Sequence, residues 1–517
     1  MEHDIVRQLQ EDEDKLRKNL PISDSGVKAP RLDSSIDRKT KIARKIALTL
    51  FPVEETDPDF LVKKRYSYIR YSQLISRLSK AYKSQVEAEK PKPKGSRENF
   101  EQLKSLPLCD VIANPVAMPV KVALEGELEP FFSFLSSNQT VEEQRMFTRG
   151  ALYPDGRLDL CKQVVGPPHI SRLMKSLEVN TWVTHFLLGN NIIGIEGAKS
   201  IADFLKKHQR IQTWYLAGND IDAKGIQLIA EALEADKICK TLWLKRNPLR
   251  SEGAIYLGRM LAKNSTLKVL DLHNTGLQDE GVKHLVSGLK QNRSLTHLYL
   301  DANGITSLGA EYLADYFQTL SKEGRVGVTS LWLDINRLDD SGVMKLTEAL
   351  KNYPIKRLIL GSNRIGPQGG KALLNALKFS TSLRVLNLGA YKSTFDMQEL
   401  PNNMGNETVD EIIDFIKTNK SVELLDVSRN GISREETVRM VLALLENDSI
   451  ILFNHGHSVK TVPEEVTQEL RSRRSERIQR KYGKSYSQYM ERLRFVRSGK
   501  YIDTIDSVYR NNMCLVK

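Results

Sequence analysis

The chain has 517 residues, a formal net charge of +13 and four cysteines, Cys109, Cys161, Cys239 and Cys514. These cysteines lack the spacing of a disulfide framework or a zinc site, and no apolar run of about 18 residues could cross a bilayer. No apolar stretch follows Met1, so we expect no secretory signal and a cytoplasmic, possibly nuclear, location.

Residues 1–99 are predicted to form a helical, partly disordered extension. Apolar residues recur there at helical spacing over 5–18, 35–50 and 60–86. Lysines and prolines alternate at 90–94 and predict an extended linker.

Residues 100–182 are more apolar and are predicted to form an N-terminal cap. Leu158 and Leu160, followed by a helical pattern at 170–177, predict a degenerate first repeat. Such a unit would cover the open end of the repeats that follow.

From Val183 to about Phe453 one sequence frame recurs nine times, most often 28 residues after the last. Apolar residues occupy positions one, four, six and eleven of the frame, with Asn most often at nine and Gly at fifteen. The frames begin at Val183, Ile211, Cys239, Leu267, Leu295, Val328, Ile355, Leu383 and Val422. A fixed period of this length is typical of a solenoid.

Each frame predicts a short strand followed by a helix. In the frame that begins at Cys239, Leu242 and Leu244 flank Trp243 with strand alternation, and the second half has helical spacing. A buried Asn such as Asn247 needs hydrogen-bond partners, so stacked copies can join one turn to the next. Gly253, at position fifteen, suits a tight turn or a close helix approach.

These positions resemble the leucine-rich repeat family, and the 28-residue period resembles its ribonuclease-inhibitor-like subclass, which includes RanGAP-type and NLR-type repeats. The resemblance covers slightly more than half of the chain. It implies an α/β fold for 183–460: a right-handed solenoid, or horseshoe, of about nine repeats. A parallel sheet would line the concave side, with helices on the convex side.

Two insertions break the period, near 321–327 after a helix and within 389–406 after a strand. In the second, Tyr391 stands where Asn is usual, so we expect the asparagine ladder to be interrupted there. Long loops on a rigid scaffold often carry binding function, although surface loops also tolerate added length at small cost.

Residues 461–517 are predicted to form a basic helical tail. Between Leu470 and Lys500 there are eleven Lys or Arg and two Glu, with aromatic residues among them. Such a segment (470–500) could make a weak contact with RNA or an acidic membrane. Alternatively, it is a helix that packs its aromatic residues against the end of the solenoid.

Apparent catalytic motifs fail on inspection. Residues 366–371 resemble a phosphate loop, but the motif is one residue short and Ala372 stands where Ser or Thr should hold magnesium. His455 and His457 lack a third metal ligand at standard spacing. We therefore expect no bound nucleotide, metal or other cofactor, no small-molecule substrate and no catalysis.

The frame also predicts a binding surface. Residues at position five lie between two core positions and must point out of the concave sheet, where we expect them to face solvent. Strand propensity alone could favour Tyr and Trp there, but aromatic residues beside charges on a rigid face are typical of binding hot spots. The predicted partner-binding residues, from positions five and seven, are Tyr215, Trp243, Asp271, Tyr299, Asp301, Trp332 and Asp334.

The sequence thus predicts a non-catalytic scaffold or inhibitor that binds a partner protein on the concave face. Two alternatives remain open. One is a RanGAP-like GTPase activator, although the segment after the repeats is basic where those proteins carry an acidic stretch. The other is an NLR-like regulatory protein, although no nucleotide-binding domain precedes the repeats.

Overall fold

The computed structural model describes residues 47–48, 107–116, 121–391, 393–457 and 462–491. The chain divides into two compact units, Met1–Pro91 and Lys92–Lys517. In the first unit Ala47 and Leu48 are helical, and the rest of the predicted helical extension and its linker lie outside the described residues. The second unit is described below.

A 13-stranded sheet runs through this unit with its strands in chain order. The first three strands pair antiparallel, and every later pair is parallel. The strands are β1 (Arg145–Met146), β2 (Ala151–Tyr153), β3 (Arg157–Asp159), β4 (His185–Leu187), β5 (Thr213–Tyr215), β6 (Thr241–Trp243), β7 (Val269–Asp271), β8 (His297–Tyr299), β9 (Ser330–Trp332), β10 (Arg357–Ile359), β11 (Val385–Asn387), β12 (Leu424–Asp426) and β13 (Leu452–Asn454).

A helix connects each parallel strand to the next, and two short 3₁₀ helices, Asn406–Thr408 and Leu444–Glu446, adjoin α11 and α12. The α-helices are α1 (Asp110–Ala113), α2 (Glu125–Ser136), α3 (Gly166–Val179), α4 (Gly194–Lys207), α5 (Ala223–Leu233), α6 (Arg250–Lys263), α7 (Gln278–Leu289), α8 (Ser307–Lys322), α9 (Asp339–Leu350), α10 (Pro367–Leu377), α11 (Val409–Thr418), α12 (Arg434–Ala443), α13 (Glu464–Tyr482) and α14 (Tyr486–Glu491).

The spacing of the two layers requires this solenoid to curve. Neighbouring strands lie about 4.8 Å apart, whereas packed helices lie roughly 8–10 Å apart. The layer with the shorter repeat must line the inside of the curve, so the sheet forms the concave side. The predicted α/β leucine-rich-repeat architecture is confirmed.

The main core lies between the sheet and the helices, as the frame predicts. Leu242 and Leu244 are fully buried there, together with Leu257 of α6. Trp243 is absent from this core and packs in a separate cluster. Gly253 lies where α6 is crowded, because a Cβ there would approach side-chain carbons of Ile226 and Leu249 to 3.0 Å.

Stacked asparagines join the turns of the solenoid. The Asn247 amide donates to the carbonyls of Leu216 (2.9 Å) and Leu244 (2.8 Å), which belong to two successive turns. Its Oδ1 accepts the backbone N–H of Asn219 at 2.9 Å and that of Ile221 at 3.0 Å. The predicted role of the position-nine Asn is thereby confirmed.

The expected interruption of this ladder at Tyr391 is wrong. Asn402, eleven residues later, enters the ladder in its place: its Oδ1 accepts the N–H of Asn363 at 2.7 Å. Its amide donates to the carbonyls of Leu360 (2.9 Å) and Leu388 (2.8 Å). The insertion therefore loops out between the strand and the ladder residue, and the ladder continues through it.

The N-terminal end of the sheet is covered by α2 and the antiparallel strands. Phe131 of α2 is fully buried and packs edge-on against Phe147, with ring centroids 5.1 Å apart. Leu158 and Leu160 lie in the main core, and β3 pairs in parallel with β4.

The C-terminal end of the sheet is covered by α13 and α14. The buried Arg477 side chain donates to the carbonyls of Ile450, at 2.6 Å, and Asn447, both near the last strand. Tyr489 and Ile478 are buried against Ile451, with Tyr482 and Tyr486 packed beside them. The aromatic residues of the described part of the tail therefore pack against the solenoid end, as one of the two alternatives predicts.

Replacing Asn402 with Ala should destabilise the protein. The change removes the acceptor of the buried Asn363 and Ile365 N–H groups and the donor to the Leu360 carbonyl, and each buried group left unpaired costs roughly 1–3 kcal/mol. The matched control is Asn403→Ala, because Asn403 is the next residue and its side chain is exposed. Urea unfolding measures both; equal free energies of unfolding for the two variants would contradict the role of Asn402.

Candidate functional site

A second apolar surface lies on the sheet face that is turned away from the helices. Here we call it the concave band. Trp332 joins its two clusters into one continuous strip. Its residues are Cys161, Leu187, Tyr215, Ala217, Trp243, Val269, Tyr299, Trp332, Ile359, Val385, Leu424 and Leu452.

The aromatic residues of the band face away from the core, as predicted, but the expectation that they face solvent is wrong. Trp243 is 6% exposed, Tyr215 is 4% exposed and Tyr299 is 7% exposed, while Trp332 is half-buried. Ring centroids are 5.7 Å apart for Trp243 and Tyr299, and 4.7 Å apart for the stacked pair Tyr299 and Trp332. On the inner side of a curved sheet neighbouring side chains converge, so the rings cover one another.

The two indoles of the band differ in their hydrogen bonding. The Nε1 of Trp332 donates to the Ser330 hydroxyl at 3.1 Å. The Nε1 of Trp243 is buried and has no acceptor among the described residues. A buried indole N–H usually finds a partner, so an acceptor placed against Trp243 would remove a desolvation penalty.

Three predicted acids lie where the strands β7 to β9 end, and we call them the acid edge: Asp271, Asp301 and Asp334. They were also expected to face solvent, and this is wrong because each is only 2–4% exposed. Asp301 accepts the backbone N–H of Asp334 at 2.7 Å, and Asp334 accepts that of Gly361 at 2.7 Å. The carboxylates of Asp301 and Asp334 thus each hold the loop of the following strand. The carboxylate of Asp271 holds its own loop, because it accepts the His273 N–H at 2.8 Å.

Two segments pack over the acid edge. One is the rim insertion, residues 389–406, whose Tyr391 ring lies 6.4 Å from the His273 ring. The other is a strap, residues 107–116, whose Ile112 is buried against Ala302 and Ile335 on the loops after β8 and β9. The carboxylates are buried because these segments close the rim beside them.

The strap and the insertion are fixed by a buried ion cluster. Glu399 of the insertion is almost fully buried and accepts Arg337 Nε at 2.7 Å and Arg364 Nη2 at 2.6 Å. Arg337 also donates to the Pro107 carbonyl at 2.9 Å, and Asn274 donates to the Val111 carbonyl at 2.8 Å. Glu399 compensates two arginines, so its loss would leave charge buried and unpaired.

Sequence reasoning missed the strap and the Glu399 cluster. The partners Asn274 and Val111 are 163 residues apart, and nothing in residues 107–116 indicates that contact. One signal was present, because Tyr391 departs from Asn in the frame and proves to reach toward the acids. The frame could not show the direction in which its ring points.

Burial changes the titration of this cluster. It raises the pKa of Asp301 to about 7, against attraction by Lys245. Burial also raises the pKa of Asp271 and, with repulsion from Asp301, places that of Asp334 well above its ordinary value. The pKa of His273 lies well below its ordinary value because the ring is buried and Lys245 repels its charged form. At neutral pH the cluster therefore holds a neutral imidazole beside carboxyl groups that resist ionisation.

The segments that resemble catalytic motifs make hydrogen bonds within the solenoid. The Gly366 and Gly369 N–H groups, which would face a phosphate, donate to Asp340 Oδ1 at 2.6 and 2.9 Å. His457 contacts the Ile432 carbonyl through Nε2 at 2.9 Å. In the described ranges no group of three His, Cys, Asp or Glu side chains could hold a metal ion, and no helix is long and apolar enough to cross a membrane.

The contribution of Asp301 to stability should fall as the pH rises from 5 to 8, whereas that of His273, whose folded pKa is lowered, rises over the lower part of this range. The folded pKa of Asp301, about 7, exceeds the unfolded value, so its contribution is complete below the unfolded pKa and is lost as the pH rises through 7. Asp301→Asn keeps an acceptor for Asp334 N–H but cannot ionise. Over this range the free energy of unfolding of Asp301→Asn should fall less than that of the native protein, and the difference should be on the order of 2–3 kcal/mol.

The control for this prediction is Asp220→Asn, because Asp220 lies on an exposed loop. Urea unfolding at pH 5 and pH 8 is measured for all three proteins. A pH dependence that is unchanged in Asp301→Asn, or reduced equally in Asp220→Asn, would show that the buried carboxyl does not cause it.

Comparison with known proteins identifies the repeats. The family model described as "Leucine Rich repeat" matches residues 263–286, 291–314 and 351–374. No curated protein matches the sequence. A chain in the crystal structure of the Rad7 and Elc1 complex in yeast is similar at 12% identity, with a TM-score of 0.36, over 78% of this chain and 90% of that chain. A likeness this small does not indicate a shared function.

The match to three repeats agrees with the strand-and-helix frame that continues on both sides of them. The asparagine ladder and the parallel sheet run through the same residues. Three segments of the chain therefore match leucine-rich repeats, and the same strand-and-helix frame surrounds them.

Proposed function

We propose that the solenoid is a non-catalytic interaction module that binds a partner protein through the concave band. One observation carries the proposal: a strip of apolar side chains runs along the concave face among polar ones, although helices cover only the opposite face. A sheet packed on one side usually presents polar residues on the other, and extended apolar patches mark binding surfaces. The concave band contributes nothing to the main core, from which its residues form separate clusters.

The band and its edge define the chemistry of such a partner. Half-buried Trp332 offers an aromatic anchor, and Trp243 offers an indole N–H that lacks an acceptor among the described residues. A partner would place apolar side chains along the band and a carbonyl or carboxylate oxygen against Trp243. Asp301 is only 4% exposed, so a Lys or Arg of the partner would reach it only if the strap or the rim insertion moved, and would then stabilise the ionised carboxylate.

Trp332→Ala should weaken partner binding by about 2 kcal/mol or more, roughly thirtyfold in affinity, because a few aromatic anchors carry most of the energy of an interface. The control is Phe379→Ala, an aromatic residue 73% exposed just after α10 and away from the band. Proteins retained by the native chain and by Phe379→Ala, but lost by Trp332→Ala, are purified and their affinities measured. Thermal unfolding of both variants separates lost binding from lost fold.

Partner retention that is equal for the two variants would contradict binding at the band. The GTPase-activator alternative is separated by a different readout. If the chain accelerated GTP hydrolysis by a purified GTPase, that result would favour the GTPase-activator alternative over the non-catalytic interaction module.

A further inference from the structure

The strap lies directly beside two of the buried acids. Ile112 of the strap is buried against Ala302 and Ile335. These two residues directly follow Asp301 and Asp334 in the chain. The strap therefore covers the two loops that carry these carboxyl groups.

The backbone of Ile335 supports a docking role for this position. Ile335 has a φ of 58°, in the left-handed region that β-branched residues rarely adopt. Such strain persists only where the surroundings stabilise it. Packing between Ile335 and Ile112 contributes to that stabilisation, so the loop after β9 and the closed strap stabilise each other.

The strap is held less firmly than the rim insertion. Among the described residues, the hydrogen bonds that join it to the solenoid are accepted by the carbonyls of Pro107, at 2.9 Å, and Val111, at 2.8 Å. The insertion is held by the buried ion cluster of Glu399 and by Asn402 of the ladder. Of the two segments over the acid edge, the strap is therefore the one that can leave at the smaller cost.

The strap brings no positive charge to the acids that it covers. Residues 107–116 contain no Lys, Arg or His, and Asp110 adds a negative charge. The other charged and titratable groups around Asp301 and Asp334 belong to the solenoid and the insertion: Lys245 and Arg246 after β6, Asp271 and His273 after β7, Tyr391 of the insertion and Asp426 of β12. The closed strap thus excludes water without offering a cation in its place.

Closing the strap and ionising the acids therefore oppose each other. With the rim closed, burial raises the pKa of Asp301 to about 7 and, with repulsion from Asp301, places that of Asp334 well above its ordinary value. With the strap away, water reaches both carboxyl groups and their pKa values return toward about 3.9. The closed rim binds protons more tightly, so its advantage is complete below the open value and is lost as the pH rises to 7.

We propose that the strap is a proton-controlled latch, which stays closed while Asp301 and Asp334 are protonated and leaves the rim when they ionise. Opening presents two carboxylates to solvent on the rim beside the concave band. Ionisation of Asp301 alone weakens closing about tenfold between pH 6 and pH 8. His273 stays neutral over this range, because its pKa lies well below its ordinary value.

Hydrogen–deuterium exchange of the full chain, followed by mass spectrometry, tests the latch. The N–H groups of residues 112–114 report on the strap, because they donate to carbonyls within it. A single helical turn does not persist once it is undocked, so these groups exchange when the strap leaves. Exchange is measured at pH 6 and pH 8 with correction for intrinsic exchange rates, and α6 serves as the reference for global unfolding.

The test variant is Asp301→Asn/Asp334→Asn, which keeps an acceptor for each bonded N–H but cannot ionise. The matched control is Asp203→Asn/Asp220→Asn, which removes two exposed carboxyl groups. Asp301→Asn alone gives the same readout if the double variant does not fold. Ile112→Asp removes the apolar contact of the strap and should open it at both pH values.

In the native chain and the matched control, exchange of the strap should quicken about tenfold or more from pH 6 to pH 8, while α6 stays constant. The test variant should exchange slowly at both pH values, and Ile112→Asp rapidly at both. No quickening in the native chain, or an equal quickening in the test variant or in α6, overturns the proposal. Slow exchange in Ile112→Asp also overturns it, because Ile112 then does not hold the strap.

The latch does not rest on the proposed function. Exchange is measured without a partner, so its outcome is independent of whether Trp332 binds one. A pH-dependent strap in a chain whose partner retention is unaffected by Trp332→Ala would keep the latch and reject the binding face.

Discussion

The buried asparagine ladder is the interaction on which the rest of the solenoid depends. Each amide closes its own turn, as Asn247 does with Leu244 O, and also joins the preceding turn through Leu216 O and Asn219 N–H. The strands are short, so strand pairing does not reach these backbone groups. Without the asparagines they would be buried and unpaired. Because Asn402 continues the ladder beyond Tyr391, the long insertion is accommodated without breaking the sheet.

A continuous stack of turns fixes the geometry of both sheet faces. The face toward the helices forms the main core, and its strand residues are fully buried leucines such as Leu242 and Leu270. The other face gathers Tyr215, Trp243 and Tyr299 from strands of identical register, so that their rings meet. The row of rings on this face therefore follows from the repeat, since one position placed once per period becomes a row on the sheet.

Strand register could be predicted from the sequence because it depends on local alternation. Leu242 and Leu244 are apolar neighbours of Trp243, and the sheet requires the three to alternate. Exposure could not be predicted, because it depends on segments remote in sequence. The strap reaches Asn274 and Arg337 from residues 107–116, and Glu399 joins Arg337 to Arg364 across the rim. Asn402 was missed for a similar reason, since a frame of fixed length cannot represent a ladder residue displaced by an insertion.

The central claim is that a partner binds the concave band, and fluorine NMR of the full chain labelled with 5-fluorotryptophan tests it most directly. The four tryptophans report separate places: Trp182 packs against the main core, Trp214 lies within it, and Trp243 and Trp332 belong to the band. On addition of the purified partner, the resonances of Trp243 and Trp332 should shift, while those of Trp182 and Trp214 stay in place. Binding that leaves both band resonances unmoved would contradict the account.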